Sequence, residues 1–175
     1  MARPNIFFVG LMAVGKSTVG RLLAQSLGME FYDSDHALEE RAGAPVAWIF
    51  DVEGEQGFRD REENIIDELS QKEGIVLATG GGAVLREANR AHLAARGCVI
   101  HLDSPVERLV ERTLHDKKRP LLQQGNPHAT LARLHAERAE LYASVADYTF
   151  ITDRQGAKVL ARDIERKLRE DGVVR

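Results

Sequence analysis

The sequence predicts an α/β domain in which helices cover both faces of a parallel β-sheet. Short apolar runs with the length and flanks of buried strands recur along the chain, and helical patterns separate them. This alternation is typical of parallel sheets, because each crossover between parallel strands needs a dozen or more residues. A chain of 175 residues is long enough for one such domain with its own core.

Five segments are predicted strands, of which four are mainly apolar and one, Glu30–Asp33, is polar at its end. In chain order the strands are Ile6–Val9, Glu30–Asp33, Ile75–Ala78, 99–102 and Tyr148–Ile151. The predicted helices are Lys16–Leu27, 55–72, 87–95, 105–114, 131–144 and Ala157–Glu170. Right-handed crossovers place the carboxyl ends of all the strands at one edge of the sheet, where ligands bind.

Composition and charge exclude several classes of protein. Apolar residues make up 43% of the chain and the net charge is −3, so neither a nucleic-acid surface nor a membrane surface is indicated. Cys98 is the only cysteine, which excludes an internal disulfide, and its apolar neighbours predict a packed thiol. The apolar run near the N-terminus is too short for a signal peptide or a membrane span. We therefore expect a cytoplasmic protein.

Residues 10–17 have the sequence GLMAVGKS, which fits the P-loop pattern G-x-x-x-x-G-K-[ST]. The motif follows a predicted strand and opens a predicted helix, which is the context that separates it from a chance glycine-rich turn. Glycines let the backbone N–H groups wrap around phosphates at the helix N-terminus. Lys16 is expected to contact the β- and γ-phosphates of ATP, and the Ser17 hydroxyl to bind Mg²⁺.

Asp33 and Asp35 follow the second predicted strand, so both carboxylates should reach the ligand edge of the sheet. Residues two apart in an extended segment point the same way, so the pair can serve one pocket. One carboxylate would hold Mg²⁺ through water, and the other would take the proton of an attacking hydroxyl. The alternative is a structural one, in which Ser34 or Asp35 caps the helix that follows.

The sequence Thr79-Gly80-Gly81-Gly82 follows the third predicted strand directly. Three glycines without side chains would let a ligand carboxylate or hydroxyl approach the backbone closely. A flexible turn between strand and helix is the alternative interpretation. The expected position, at the same sheet edge as the P-loop, favours a binding role.

Three arginines are candidates for binding anions, although each alone has the pattern of a solvated surface residue. Arg59 and Arg138 lie in predicted helices, and Arg119 lies in the segment 115–128, which is rich in charge, glutamine, proline and glycine. An ATP site must neutralise phosphoryl charge, and a carboxylate substrate favours a guanidinium. We expect the segment to be either a solvated loop or a mobile lid over the phosphates.

The chain resembles the shikimate kinases over essentially its whole length. The segments that carry the resemblance are GLMAVGKSTVGRLLA, the DSD pair, IFDVEGEQGFRDREE, TGGGAV, RPLL, ERAELY and TDRQGAKVLARDI, all in the order that the family has. The resemblance implies the P-loop NTPase fold, a three-layer sandwich with a five-stranded parallel sheet, in one domain over residues 1–175. It further implies a substrate-binding region at about 35–63 and a mobile lid at about 114–128.

The resemblance also implies an activity, the transfer of the ATP γ-phosphate to the 3-hydroxyl of shikimate with Mg²⁺, on the route to chorismate and the aromatic amino acids. The catalytic residues it implies are Lys16, Asp35 and Arg119. The ATP contacts it implies are Ala13, Val14, Gly15, Lys16, Ser17, Thr18, Arg112, Arg119 and Gln155, with Arg112 and Gln155 flanking the adenine. The shikimate contacts are Asp35, Arg59, Gly80, Gly81, Gly82 and Arg138, and the metal residues are Ser17 and Asp33.

The sequence departs from the family within the P-loop, where Ala13 and Val14 stand at positions that commonly hold small residues such as glycine. We expect the loop still to cradle phosphate. A gluconate-type or nucleoside-monophosphate kinase is the nearest alternative enzyme, and a non-catalytic shikimate-sensing regulator is the alternative of another class. ATP and shikimate are the expected partners, with no nucleic acid and no membrane, and the protein is expected to be a monomer.

Overall fold

The sheet of the protein has five parallel strands. The structure is a computed structural model and describes residues 3–113, 126–152 and 155–175. The strands are β1 (Ile6–Val9), β2 (Glu30–Asp33), β3 (Ile75–Ala78), β4 (Cys98–Asp103) and β5 (Tyr148–Ile151), in the spatial order β2-β3-β1-β4-β5. All neighbouring pairs are parallel. The five predicted strands are therefore confirmed, with β4 one residue longer at each end than the sequence predicted.

Seven helices cover the described part of the sheet. They are α1 (Lys16–Leu27), α2 (Ser34–Ala42), α3 (Val46–Ser70), α4 (Glu87–Arg96), α5 (Val106–Thr113), α6 (Pro127–Val145) and α7 (Ala157–Glu170), with a short 3-10 helix at Ala83–Leu85. The chain moves from β1 to β2 in one direction and from β3 through β4 to β5 in the other. Right-handed crossovers therefore place α1 on one face of the sheet and α3, α4 and α6 on the opposite face. Helix α7 packs against α1.

Two helical segments that the list of predicted helices left out lie between β2 and β3, and the first of them, α2, is the helix that the capping alternative considered. Asp33 caps α2 by accepting hydrogen bonds from the N–H groups of Asp35 and His36, so the cap is neither Ser34 nor Asp35. Helix α3 begins at Val46, whereas the sequence analysis predicted a helix from residue 55. Gly54 has a φ of 75° and kinks the helix, so the predicted helix corresponds to the part after the kink.

The region proposed as a lid ends earlier than expected. Asn126 accepts a hydrogen bond from the N–H of His128 and caps α6, with Pro127 at the first helical position. Residues 126–128 therefore belong to the start of a helix, and the rest of the predicted lid, 114–125, lies outside the described residues.

The core is built on the central strand β1 and its neighbour β3. All residues of β1 and β3 are buried, so both strands are apolar throughout, as expected for a sheet covered on both faces. Leu160, Ile164 and Leu168 of α7, which are spaced four residues apart on one face of the helix, are buried in the same core. Cys98 is only half-buried at the start of β4, and burial raises the pKa of its thiol to about 12.

Candidate active site

The P-loop leaves the carboxyl end of β1 and enters α1. Gly10 has a φ of 151°, and a Cβ there would lie 2.4 Å from the carbonyl oxygen of Leu102, so only glycine fits against β4. Gly15 has a φ of 101° just before the helix. Ala13 also has a positive φ, 65°, and is the only non-glycine residue of the described chain that does. An L-residue is strained in this left-handed conformation, which explains why glycine is favoured there.

Lys16 lies within the loop and is buried. Its ammonium donates hydrogen bonds to the carbonyl oxygens of Gly10 and Leu11, the latter at 2.8 Å. The side chain therefore folds back along the loop, with its charge at the centre of the concave turn. The Arg112 guanidinium donates to the carbonyl oxygens of Ala13 and Val14, at 3.3 and 3.0 Å, and so ties α5 to the outside of the loop.

Ser17 and Asp33 meet where α1 and α2 begin. The Ser17 hydroxyl donates a hydrogen bond to Asp33 Oδ2, while Asp33 Oδ1 accepts the cap hydrogen bonds at 2.9 and 3.2 Å. Asp33 thus serves both as the helix cap and as a partner of the P-loop serine. A hydroxyl and a carboxylate at the mouth of a phosphate loop are the hard oxygen donors that Mg²⁺ prefers. Among the described residues no group of three or more His, Cys, Asp or Glu side chains could hold a metal.

Arg59 lies inside the protein and not on its surface, with 6% of its area exposed. Its guanidinium donates to Glu62 Oε1 at 3.0 Å and lies 3.6 Å from Glu55 Oε1. Phe50 and Phe58 pack against the guanidinium, with ring centroids 6.0 and 5.1 Å away. The aromatic wall and the carboxylates hold the charge in place at the pocket side of α3.

Arg138 on α6 is also buried, with 3% of its area exposed, and faces the glycine turn that follows β3. A Cβ on Gly81 would lie 3.6 Å from Arg138 Nη1, and a Cβ on Gly82 would lie 2.3 Å from Arg59 Nη2. A side chain at Gly82 would therefore displace Arg59, whereas a Cβ at Gly81 would only touch Arg138. The Tyr142 hydroxyl donates to the Gly81 carbonyl oxygen at 2.5 Å and fixes the turn from the other side.

Gly80 is the point where two carboxylates converge. A Cβ there would lie 2.7 Å from Glu62 Oε2 and 2.9 Å from Asp35 Oδ1, so α2 and α3 both present an oxygen to the turn. The Gly80 N–H donates to the Ser34 hydroxyl at 3.1 Å, so this N–H already has a partner within the protein. Burial raises the pKa of the Glu62 carboxyl to about 7, although Arg59 acts in the opposite direction and Asp35 adds to the rise.

One cavity of about 670 Å³ brings these groups together. Of the residues predicted for the site, those that line it are Ala13, Val14, Gly15, Lys16, Ser17, Thr18, Asp33, Asp35, Arg59, Gly80, Gly81, Gly82, Arg112, Arg138 and Gln155. Arg119 lies outside the described residues. The cavity has a phosphate-loop end and an end with two buried arginines, which is a geometry for bringing a nucleotide and an anionic acceptor together.

Two residues of this cluster were missed by the sequence analysis. Glu62 is 1% exposed and Tyr142 is 2% exposed, and both sit one helical turn from a predicted arginine. The spacing of three residues between Arg59 and Glu62, and of four between Arg138 and Tyr142, places each pair on one helix face. That spacing was available in the sequence, but only a known binding role for the arginines gives it meaning.

The chain was compared with protein families and with known proteins. The family model described as shikimate kinase matches residues 12–169. The chain is 57% identical to a shikimate kinase from Vibrio campbellii, over 95% of this chain and 96% of that protein. It is 58% identical to shikimate kinase 1 from Enterobacter, over 91% of this chain and 93% of that protein.

Solved structures give a consistent result. A shikimate kinase from Acinetobacter baumannii in complex with shikimate matches with a TM-score of 0.95 and 48% identity, over 97% of this chain and 94% of that one. The shikimate kinase from Aquifex aeolicus matches with a TM-score of 0.83 and 33% identity, over 96% and 98%. The fold and the order of motifs are therefore shared with these enzymes along nearly the entire chain.

Proposed function

The chain belongs to the shikimate kinase family, and we propose that its cavity transfers the γ-phosphate of ATP to the 3-hydroxyl of shikimate. The observation that carries the proposal is the placement of two buried arginines and the P-loop lysine in one cavity. A nucleotide held by the loop and a carboxylate held by the arginines would meet beside Asp35. Phosphoryl transfer depends mainly on such positioning and on neutralised charge.

At the phosphate end we propose Lys16 as the main catalytic cation. Its ammonium lies at the centre of the loop and would exchange the carbonyl oxygens of Gly10 and Leu11 for phosphate oxygens. Ser17 and Asp33 would hold Mg²⁺, whose chemistry is to neutralise charge on the β- and γ-phosphates. Ala13, Val14, Gly15 and Thr18 complete the ATP contacts along the loop and the start of α1.

At the acceptor end Arg59 and Arg138 would bind the shikimate carboxylate, with the backbone of Gly80, Gly81 and Gly82 beside it. Two guanidinium groups suit a carboxylate because each offers paired, planar donors. Asp35 would orient the 3-hydroxyl and accept its proton. The enclosure of the cavity would exclude water, which otherwise competes as the acceptor.

Three further residues are proposed as ATP contacts outside the P-loop. Arg112 and Gln155 line the cavity beyond the loop, where they would flank the adenine. Arg112 already donates to the carbonyl oxygens of Ala13 and Val14, which holds its side chain beside the loop that would bind the nucleotide. Arg119 is proposed to fold over the phosphates from the region 114–125, as a catalytic cation whose removal lowers turnover more than shikimate binding.

A coupled assay of ADP release tests the function directly. With ATP and Mg²⁺ the protein should turn over shikimate and leave gluconate and AMP unused, because neither rival substrate offers the same carboxylate-to-hydroxyl geometry. Turnover of gluconate or AMP in place of shikimate would identify another small P-loop kinase. Shikimate binding without turnover would identify a non-catalytic regulator.

We propose that the protein acts as a monomer in the cytoplasm. Its substrates are small molecules, and its one cysteine forms no internal disulfide, in keeping with a reducing compartment. None of the helices in the described ranges is long and apolar enough to cross a membrane. Sedimentation of the purified protein at increasing concentration would test the monomer.

A further inference from the structure

Glu62 is a carboxyl group that the proposed reaction does not use, although it lies at the wall of the cavity. Its side chain is 1% exposed, and its Oε1 accepts from Arg59 at 3.0 Å. Its other oxygen, Oε2, has no hydrogen-bond partner among the described residues. A buried carboxylate with one unsatisfied oxygen is costly to keep ionised unless a positive charge compensates it.

The charges around Glu62 balance before any substrate binds. Asp35 on α2 and Glu62 on α3 carry two negative charges, and Arg59 and Arg138 carry two positive charges. Glu55, also near Arg59, is about half exposed, so water screens its charge. When Glu62 is ionised, the formal charges of these four side chains therefore sum to zero.

A bound carboxylate upsets this balance. If an anionic substrate docks on the two arginines, its carboxylate brings a third negative charge next to Glu62 and Asp35, and Glu62 is the one of these groups that is 1% exposed. Like charges within a buried site do not all stay ionised, and the group with the largest desolvation cost takes up a proton first. Asp35 must remain ionised if it is to accept the proton of the hydroxyl.

We propose that Glu62 takes up a proton from solvent when the carboxylate of the substrate binds to Arg59 and Arg138. This inference rests on the proposed function, because the substrate carboxylate is the charge that drives it. Glu62 is then a positioning residue: ionised, it holds Arg59 in the empty site, and protonated, it releases the full charge of Arg59 to the substrate.

The groups that face Glu62 support this assignment from each packed element. Asp35 from α2 disfavours the ionised carboxyl, whereas Arg59 from α3 and Arg138 from α6 favour it. Tyr142 from α6 stays neutral, because burial raises the pKa of its hydroxyl to about 12. With a pKa of about 7, Glu62 in the empty protein is already poised between its two forms at neutral pH.

Calorimetry of shikimate binding tests the proposal on the intact protein. Titration near pH 8 in two buffers with different heats of ionisation measures the protons taken up per shikimate. We expect an uptake approaching one proton, and about half a proton near pH 7, where Glu62 is partly protonated beforehand. The dissociation constant should rise by about tenfold per pH unit above neutrality. Shikimate binding with no proton uptake at either pH would overturn the inference.

The Glu62→Gln variant identifies the group. Glutamine keeps the size of the side chain and an oxygen for Arg59 but cannot titrate, so the variant should bind shikimate without proton uptake and with little pH dependence. The matched control is Glu55→Gln, which removes the exposed partner of Arg59 and should keep the wild-type uptake. Undiminished uptake in Glu62→Gln would assign the proton to another group and overturn the inference.

The two proposals fail in different ways. Absence of shikimate binding to the wild-type protein would contradict the proposed function itself. Normal phosphorylation of shikimate without proton uptake would leave that function standing and remove only the role given to Glu62. If Glu62→Gln does not fold, the absence of proton uptake by the wild-type protein still overturns the inference, and an uptake that falls to about half a proton near pH 7 supports it.

Discussion

The two ends of the cavity are built in opposite ways. The phosphate end is one contiguous loop, residues 10–18, in which the backbone conformation and a single lysine form the proposed phosphate site. The acceptor end draws its groups from α2, α3, α6 and the turn after β3. A loop can be recognised in the sequence because its parts are adjacent. An assembled site depends on which elements the fold brings together.

The two ends of the cavity also differ in how their charged side chains are compensated. At the phosphate end, one charged side chain is satisfied by carbonyl oxygens of its own loop. At the acceptor end, two arginines and a glutamate are buried together, and removing Arg59 leaves the buried Glu62 carboxylate without its ion-pair partner. We therefore expect substitutions at the two ends to separate, with the loop affecting turnover and the assembled end affecting substrate affinity.

The largest effect is expected at Lys16. The Lys16→Met variant keeps the length of the side chain and removes the charge that stabilises phosphoryl transfer, so kcat should fall by about 10³-fold. The shikimate dissociation constant should stay within about twofold of wild type, because the acceptor end does not include this residue. Calorimetry and steady-state kinetics measure the two quantities. Loss of shikimate affinity in a folded variant would show that the two ends are coupled.

The next effect is expected at Arg138. The Arg138→Lys variant keeps the charge but loses the paired donors, so the shikimate KM should rise by about 30-fold, as for the loss of one charge-assisted hydrogen bond. The KM for ATP should not change. The matched control is Arg133→Lys on the same helix, whose side chain is 59% exposed beside Glu137 and whose replacement should change neither constant. An unchanged shikimate KM in Arg138→Lys would remove this arginine from the site.

A smaller effect is expected at Tyr142. The Tyr142→Phe variant loses the hydrogen bond to the Gly81 carbonyl oxygen, worth about 1 kcal/mol, so the shikimate KM should rise by about fivefold while the ATP KM holds. Tyr148→Phe is the control, because its hydroxyl donates to the exposed Asp171, outside the cavity. Equal effects of the two substitutions would mean that the turn needs no support from Tyr142.

The smallest effect is expected at Ala13, and it has the opposite sign. Glycine tolerates the φ of 65° without strain, so Ala13→Gly should stabilise the fold by about 0.5–1 kcal/mol and raise Tm by about 2 °C. In the control, Ala91→Gly in the exposed middle of α4, the same change should lower the stability by about 1 kcal/mol. A lower Tm for Ala13→Gly would show that the backbone of Ala13 is not strained.

Most of the fold could be predicted from the sequence because the sheet is buried on both faces. The runs that became β1 and β3 are apolar throughout, and Lys16–Leu27 and Ala157–Glu170 were predicted with the bounds that the structure has. Helix α2 was missed as an element because it is short and polar, and its cap, Asp33, also ends a strand. The first part of α3 was missed because Gly54 interrupts the periodicity.

The sequence by itself determined the phosphate loop, the order of the strands and helices along the chain, and the family to which the chain is similar. Those features depend on neighbouring residues, whose spacing is visible in one dimension. Only the tertiary structure decided that Arg59 and Arg138 are buried, that Glu62 and Asp35 converge on Gly80, and that Tyr142 holds the turn. Those features depend on contacts between distant segments, and their energies come from desolvation, which only the packed fold creates.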